Sequence, residues 1–142
     1  MDNFKDTAYR MYEDTLVLHE NKKWFNACYL AGYVLECYSK LIIDNAMTLG
    51  INTQKKSVRG YSHNTILMNS EIKNINLLCG SLSQYCIDLN IDCNTIINNW
   101  NPLDRYNENN VTWNQEAIAD KFKEEIDILI EQIMKMELDG VI

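Results

Sequence analysis

The chain is expected to be all-α, an up-and-down bundle of four principal helices with one short extra helix, forming a single domain over residues 1–142. Three observations predict this. Apolar residues recur at three- and four-residue steps along most of the sequence, which is the period of a helix with one buried face. No stretch shows the two-residue alternation of a half-buried strand, and no internal repeat is visible. Residues 29–43, reading YLAGYVLECYSKLII, are apolar almost all the way round a helix, as suits a rod at the centre of a bundle.

The first helix is predicted over 2–20, with Phe4, Ala8, Met11, Thr15 and Leu18 on one face. Asn21, Lys22 and Lys23 interrupt it, and a second helix runs over 24–49, with Gly50 placed to end it. One face of that helix carries Phe25, Cys28, Gly32, Leu35, Ser39 and Ile42, and another carries Ala27, Leu30, Ala31, Val34, Tyr38 and Leu41. Ala31 and Gly32 would allow a neighbour to approach closely. Residues 51–63 lack periodicity and read as loop. Ser62 or Asn64 is placed to cap a short helix over 65–69, followed by a longer one over 70–90. The stripe of that longer helix is Ile75, Leu78, Cys79, Leu82, Tyr85, Cys86 and Leu89, with a kink or close approach at Gly80. One or two further turns fit 94–100, and Pro102 enforces a break. An Asn-rich connection over 101–114 leads to a last helix over 115–138, with Ile118, Phe122, Ile126, Leu129, Ile133 and Met136 inward.

Composition narrows the function classes. The net charge of −7 argues against a broadly basic coat for nucleic acid, and the acidity concentrates in the last helix. The one basic cluster outside the helices is Lys55, Lys56 and Arg59, just before His63. Such a loop is either solvated surface or a phosphate contact. Five cysteines without a C-x-x-C pair, and two distant histidines, give no zinc framework, so the thiols read as reduced packing residues. No metal and no cofactor is expected. The polar, acidic start of the chain is unlike a secretory leader, and no uncharged apolar run is long enough to span a bilayer. A soluble, cytoplasmic protein without membrane contact is the expectation. Phosphate-binding glycine loops, H-E-x-x-H, EF-hand and G-x-S-x-G patterns are absent.

Three groups of residues stand out as candidates. Glu36 and Lys40 stand four apart inside the apolar helix, either as a narrow solvent-facing strip or as a polar groove in which Glu36 orients a basic residue from elsewhere. Arg105 and Tyr106 follow Trp100 and Pro102 in a stiffened loop. Arg105 can pair with Glu36, offer its planar fork to a phosphate, or clamp the loop to the bundle, while Tyr106 can donate a hydrogen bond or stack on a base. His63 can act as general base or phosphate ligand, or simply cap and pack.

Taken together, these pieces resemble a bacterial HEPN domain. The resemblance is carried by Ala8-Tyr9-Arg10, by residues 24–37 with their A-G-Y-x-x-E-C element, by Ser62-His63-Asn64, and by Trp100 with Arg105-Tyr106, spanning roughly 4–138. It implies a helical bundle that commonly forms homodimers and works on RNA or nucleotides. The settings it implies are toxin–antitoxin, stress or phage-defence systems, often beside a nucleotidyltransferase-type antitoxin partner. Many members of that family are metal-independent ribonucleases with an Arg, a polar residue, and a His four to six positions after the Arg. Here no His follows Arg105 within that reach, and Arg59 and His63 lie in a different part of the chain. The expectation is therefore a non-catalytic or degenerate member binding nucleotide, RNA or a protein partner through Glu36, Lys40, His63, Arg105 and Tyr106. The alternatives are an active ribonuclease using Arg105 and His63, with Tyr106 as a further catalytic candidate, and a purely structural interaction module.

Overall fold

A computed structural model describes residues 2–142, and every regular element among them is helical. Four helices are long: α1 (Phe4–Glu20), α2 (Trp24–Thr48), α3 (Thr65–Leu78) and α7 (Glu116–Leu138). Between α3 and α7 lie three short ones, α4 (Gly80–Ser83), α5 (Leu89–Asp92) and α6 (Asn94–Asn99). Single 3-10 turns cover Val58–Tyr61, Pro102–Tyr106 and Thr112–Asn114.

The centre of the molecule is α2. Ten consecutive residues, 34–43, are all buried, because α1, α3 and α7 surround the helix. Its apolar circumference is what the sequence required. Against it α7 lays Phe122, Ile126, Leu129, Ile133 and Met136, all buried, at helical spacing. Cys28, Cys37, Cys79 and Cys93 are buried as free thiols, and burial pushes the Cys28 and Cys37 thiols up to about 12.

Two boundaries differ from the sequence expectation. Asn64 is the cap, its Oδ1 accepting the Leu67 N–H at 2.9 Å, and the helix it starts passes through Ser70 without a break. The predicted helix over 70–90 instead stops at Leu78, with Cys79 extended and Leu77 and Leu78 facing solvent. A hydroxyl from α2 is the reason. Tyr38 Oη donates to the Tyr85 carbonyl at 2.6 Å and accepts the Ile87 N–H at 3.0 Å, so these backbone groups are satisfied without a helix. Asn69 Oδ1 takes the Leu89 N–H at 3.0 Å, and Asp88 caps α5 by accepting the Asn90 N–H. Buried tertiary hydrogen bonds have replaced local ones.

Asn101–Asn114 wraps over one end of α2 and is pinned by two indoles. Trp113 is fully buried against Phe25, and its Nε1 donates to the Asn99 carbonyl at 3.0 Å. Trp100 Nε1 donates to the Tyr29 carbonyl at 3.0 Å, and its ring lies directly on Gly32. A Cβ at Gly32 would sit 1.9 Å from that indole, so the close approach expected at this glycine is made by a tryptophan.

Candidate functional site

One row of α2 carries Tyr29, Tyr33, Glu36 and Lys40, spaced by four, three and four residues and therefore stacked along a single face. The lower part of the row is charged. Glu36 Oε1 accepts from Lys40 Nζ at 2.8 Å, and its Oε2 lies 2.8 Å from His63 Nδ1. The carboxylate is 8% exposed and the lysine side chain 11%, whereas His63 is 47% exposed. Glu36 and Lys40 are thus not the narrow solvent-facing strip that was one of the two readings of their spacing. The Lys40 stem is covered by α1, with the ammonium 5.8 Å from the Phe4 ring centre. The charge of Glu36 is balanced inside the fold, and its second oxygen fixes an imidazole at the surface.

The chain turns sharply to bring that imidazole back onto α2. The Asn64 N–H bonds to the Tyr61 carbonyl at 2.9 Å, closing a turn in which Ser62 has φ 49° and ψ −123°. Glycine favours that conformation, and a serine there stores strain of about 1–3 kcal/mol. With Nδ1 held by Glu36, Nε2 is the nitrogen left for a ligand. His63 borders a groove of about 510 Å³, walled by Thr65 and Ile66 of α3, Ile97 of α6, and Trp100, Asn101 and Leu103.

The upper part of the row is aromatic. Tyr33 meets His63 edge-on at 6.3 Å, Trp100 at 5.1 Å and Tyr29 at 5.3 Å. The Tyr29 and Tyr33 hydroxyls are 3.2 Å apart, and burial together with this bond pushes the Tyr33 phenol well above its ordinary value. Arg105 stacks on the outer tyrosine, its guanidinium carbon 4.8 Å from the Tyr29 ring centre, and donates to the Tyr29 hydroxyl at 3.4 Å. It makes no ion pair among the described residues. The anticipated Glu36–Arg105 pair is not formed, because Lys40 and His63 already occupy the carboxylate. Tyr106 projects beside Arg105 and is 77% exposed.

The predicted residues therefore fall into two groups on one face: Glu36, Lys40 and His63 at one end, Arg105 and Tyr106 at the other. Two tyrosine rings lie between them, so Arg105 and His63 do not touch within one chain. Of the basic loop, Arg59 is drawn away to Asp2, its Nε 3.2 Å from the carboxylate. Tyr29, Tyr33, Ser62 and Thr65 are site residues that the sequence reading did not include in its candidate set. The spacing of Tyr29 and Tyr33 from Glu36 was the available signal, since it continues the Glu36–Lys40 row by whole helical turns.

Beyond Trp100 and Asn101 the surface continues into a second groove of about 360 Å³, bordered by Asn98, Asn99, Asn107 and Asp104. Asn101 Oδ1 accepts the Leu103 N–H and Asn107 Oδ1 accepts the Asn109 N–H, which fixes both amides with NH2 groups that meet no acceptor among the described residues. No helix among the described residues is long and apolar enough to cross a membrane. Comparisons with protein-family models, with curated proteins and with solved structures gave no match to this chain.

Proposed function

We propose that this chain is a HEPN-like protein, non-catalytic or degenerate as a ribonuclease, that binds single-stranded RNA or a nucleotide along the face from His63 to Arg105. The observation carrying the reading is the buried Glu36, which holds the His63 imidazole by Nδ1 and leaves Nε2 at the mouth of a groove. Around it are the groups that single strands use. Arg105 is stacked and pairs with no carboxylate among the described residues, Tyr106 is an exposed ring, and the fixed amides of Asn101 and Asn107 offer donors to base edges. The sequence resemblance supports a homodimer in a toxin–antitoxin, stress or phage-defence setting, with a nucleotidyltransferase-type antitoxin as a partner.

The test is fluorescence anisotropy with a labelled single-stranded oligoribonucleotide. Saturable binding is expected, weakened by about tenfold or more in Arg105→Ala, which loses a charged contact of about 1.5–3 kcal/mol, and weakened also in His63→Ala, which loses the Nε2 contact. Absence of saturable binding to RNA or mononucleotides overturns the reading.

A second reading has one observation in its favour. A carboxylate that fixes Nδ1 is the arrangement that lets a histidine accept a proton at Nε2, so His63 has the geometry of a general base. Ribonuclease activity would then require the Arg105 of a second copy, because the two do not meet in one chain. Gel-monitored RNA cleavage by the purified protein, abolished by Arg105→Ala, would establish that reading and displace the non-catalytic one.

A further inference from the structure

We propose that the N-terminus of α3 holds a phosphate group, with His63 Nε2 and the Thr65 hydroxyl completing the cradle. This rests on the reading that the ligand is a nucleotide or RNA, and it names the place where the phosphate sits.

The argument begins with the donors of the first helical turn. α3 is 14 residues long, so its aligned peptides present a real positive end. Four N–H groups at such an end have no acceptor within the helix. Two are satisfied here: the Asn64 N–H by the Tyr61 carbonyl at 2.9 Å, and the Leu67 N–H by Asn64 Oδ1 at 2.9 Å. The Thr65 and Ile66 N–H groups find no acceptor among the described residues, and both residues border the groove.

A second, independent observation comes from the Thr65 side chain. The residue is 5% exposed, yet its hydroxyl makes no hydrogen bond among the described residues, and it too lines the groove. A threonine buried to that extent ordinarily spends its hydroxyl on the backbone of its own helix, as Thr15 does on the Met11 carbonyl at 2.7 Å. That of Thr65 is left for something that enters the groove.

The electrostatics agree. No acidic side chain among the described residues lines this groove, whereas Asp104 lines its neighbour. The nearest carboxylate behind the imidazole, Glu36, is already matched by Lys40. An anion placed against Thr65 and Ile66 meets two backbone N–H groups, one hydroxyl and the free Nε2 edge of the His63 ring. This is the donor set that phosphates choose at helix N-termini. The strained turn at Ser62 gains a purpose as well, because it places His63 one residue ahead of the helix cap and on the groove side. Ile66 and Leu103, both largely exposed, flank the opening with apolar surface for a ribose or base attached to the phosphate.

A titration of uniformly 15N-labelled protein tests this, with four probes: inorganic phosphate, adenosine 5′-monophosphate, adenosine, and an oligoribonucleotide with 5′- and 3′-hydroxyl ends. The monophosphate is expected to move the Thr65 and Ile66 amide resonances saturably, and adenosine to leave them in place. If the oligoribonucleotide moves the same resonances, the phosphate bound is an internal diester. If only the monophosphate and inorganic phosphate do, it is a terminal monoester. Thr65→Val, which removes the hydroxyl and keeps the shape, is expected to weaken the phosphate-bearing ligand by about fivefold or more, and Thr65→Ser to restore it. Equal shifts with adenosine, or unmoved Thr65 and Ile66 amides with every phosphate-bearing probe, overturn the proposal. Anisotropy separates the two claims. RNA binding with silent Thr65 and Ile66 amides rejects this phosphate site alone. Shifts with inorganic phosphate and the monophosphate but no oligoribonucleotide binding reject the RNA reading alone.

Discussion

Glu36 and Glu71 are both buried carboxylates on neighbouring helices, and they are used in opposite ways. Glu71, on α3, is 1% exposed. Its Oε1 accepts the Gln54 N–H and the Tyr61 hydroxyl, each at 2.6 Å, which ties the loop after α2 to the bundle. Every partner there belongs to the fold, and the network closes on itself. Glu36, on α2, has one internal partner in Lys40 and one, His63, whose other nitrogen is left for a ligand. That network is open. The difference teaches that burial of a charge alone does not mark a site; what matters is whether its hydrogen bonds end inside the protein or at a groove.

The largest expected effect comes from displacing the Trp100 indole, which lines the groove beside His63. Gly32→Ala puts a methyl group into the Trp100 indole, and the only relief is to move the tryptophan. A loss of about 3–5 kcal/mol is expected, similar to deleting a buried tryptophan, read by urea denaturation. RNA binding should fall with it, since Trp100 lines both grooves. Glu71→Ala strands the Gln54 N–H and the Tyr61 hydroxyl and should cost about 2–4 kcal/mol in the same assay.

Glu36→Gln is expected to cost less, about 1–2 kcal/mol, because the glutamine Oε1 still accepts from Lys40 while the charge that balances the ammonium is lost. Adding Lys40→Met removes that unpaired charge, and the double variant should return to within about 1 kcal/mol of the parent. A double variant as unstable as Glu36→Gln alone would show that His63 is an essential structural partner and that the Glu36 network is closed.

The smallest effect concerns pH. Burial and the bond to Glu71 push the Tyr61 phenol from 10.0 up to about 12. A phenol with its folded value raised stabilises the protein fully below the unfolded value and loses that contribution as pH rises through the folded one. Stability should therefore decline between about pH 10 and 12, and Tyr61→Phe should flatten that part of the decline. The measurement is urea unfolding across that range.

The all-α bundle was readable because its determinants are local. The apolar circumference of α2 and the stripe of α7 needed no knowledge of the rest of the chain. The region after α3 was not readable, because the Tyr38 hydroxyl decides it from 47 residues away. Periodicity through Leu78 pointed to a helix that a distant side chain unwinds. The site behaved alike. Glu36, Lys40 and His63 were visible as unusual residues, yet a sequence separation of 27 hid the contact of Glu36 with His63, and the pairing with Glu36 offered to Arg105 is not made. Arg105 rests on Tyr29 because the Trp100 indole, seated on Gly32, fixes where the loop begins. Only the row from Tyr29 to Lys40 lay open in the sequence, and it joins both halves of the site.

The contrast between the two carboxylates is tested most directly by oligoribonucleotide affinity in Glu71→Ala and in Glu36→Gln with Lys40→Met, side by side by anisotropy under conditions where both are folded. The account predicts that Glu71→Ala, though the less stable, binds within about twofold of the parent, while the double variant, though stable, loses about tenfold or more. Affinity that follows stability in both, or a double variant that binds as the parent does, would contradict it.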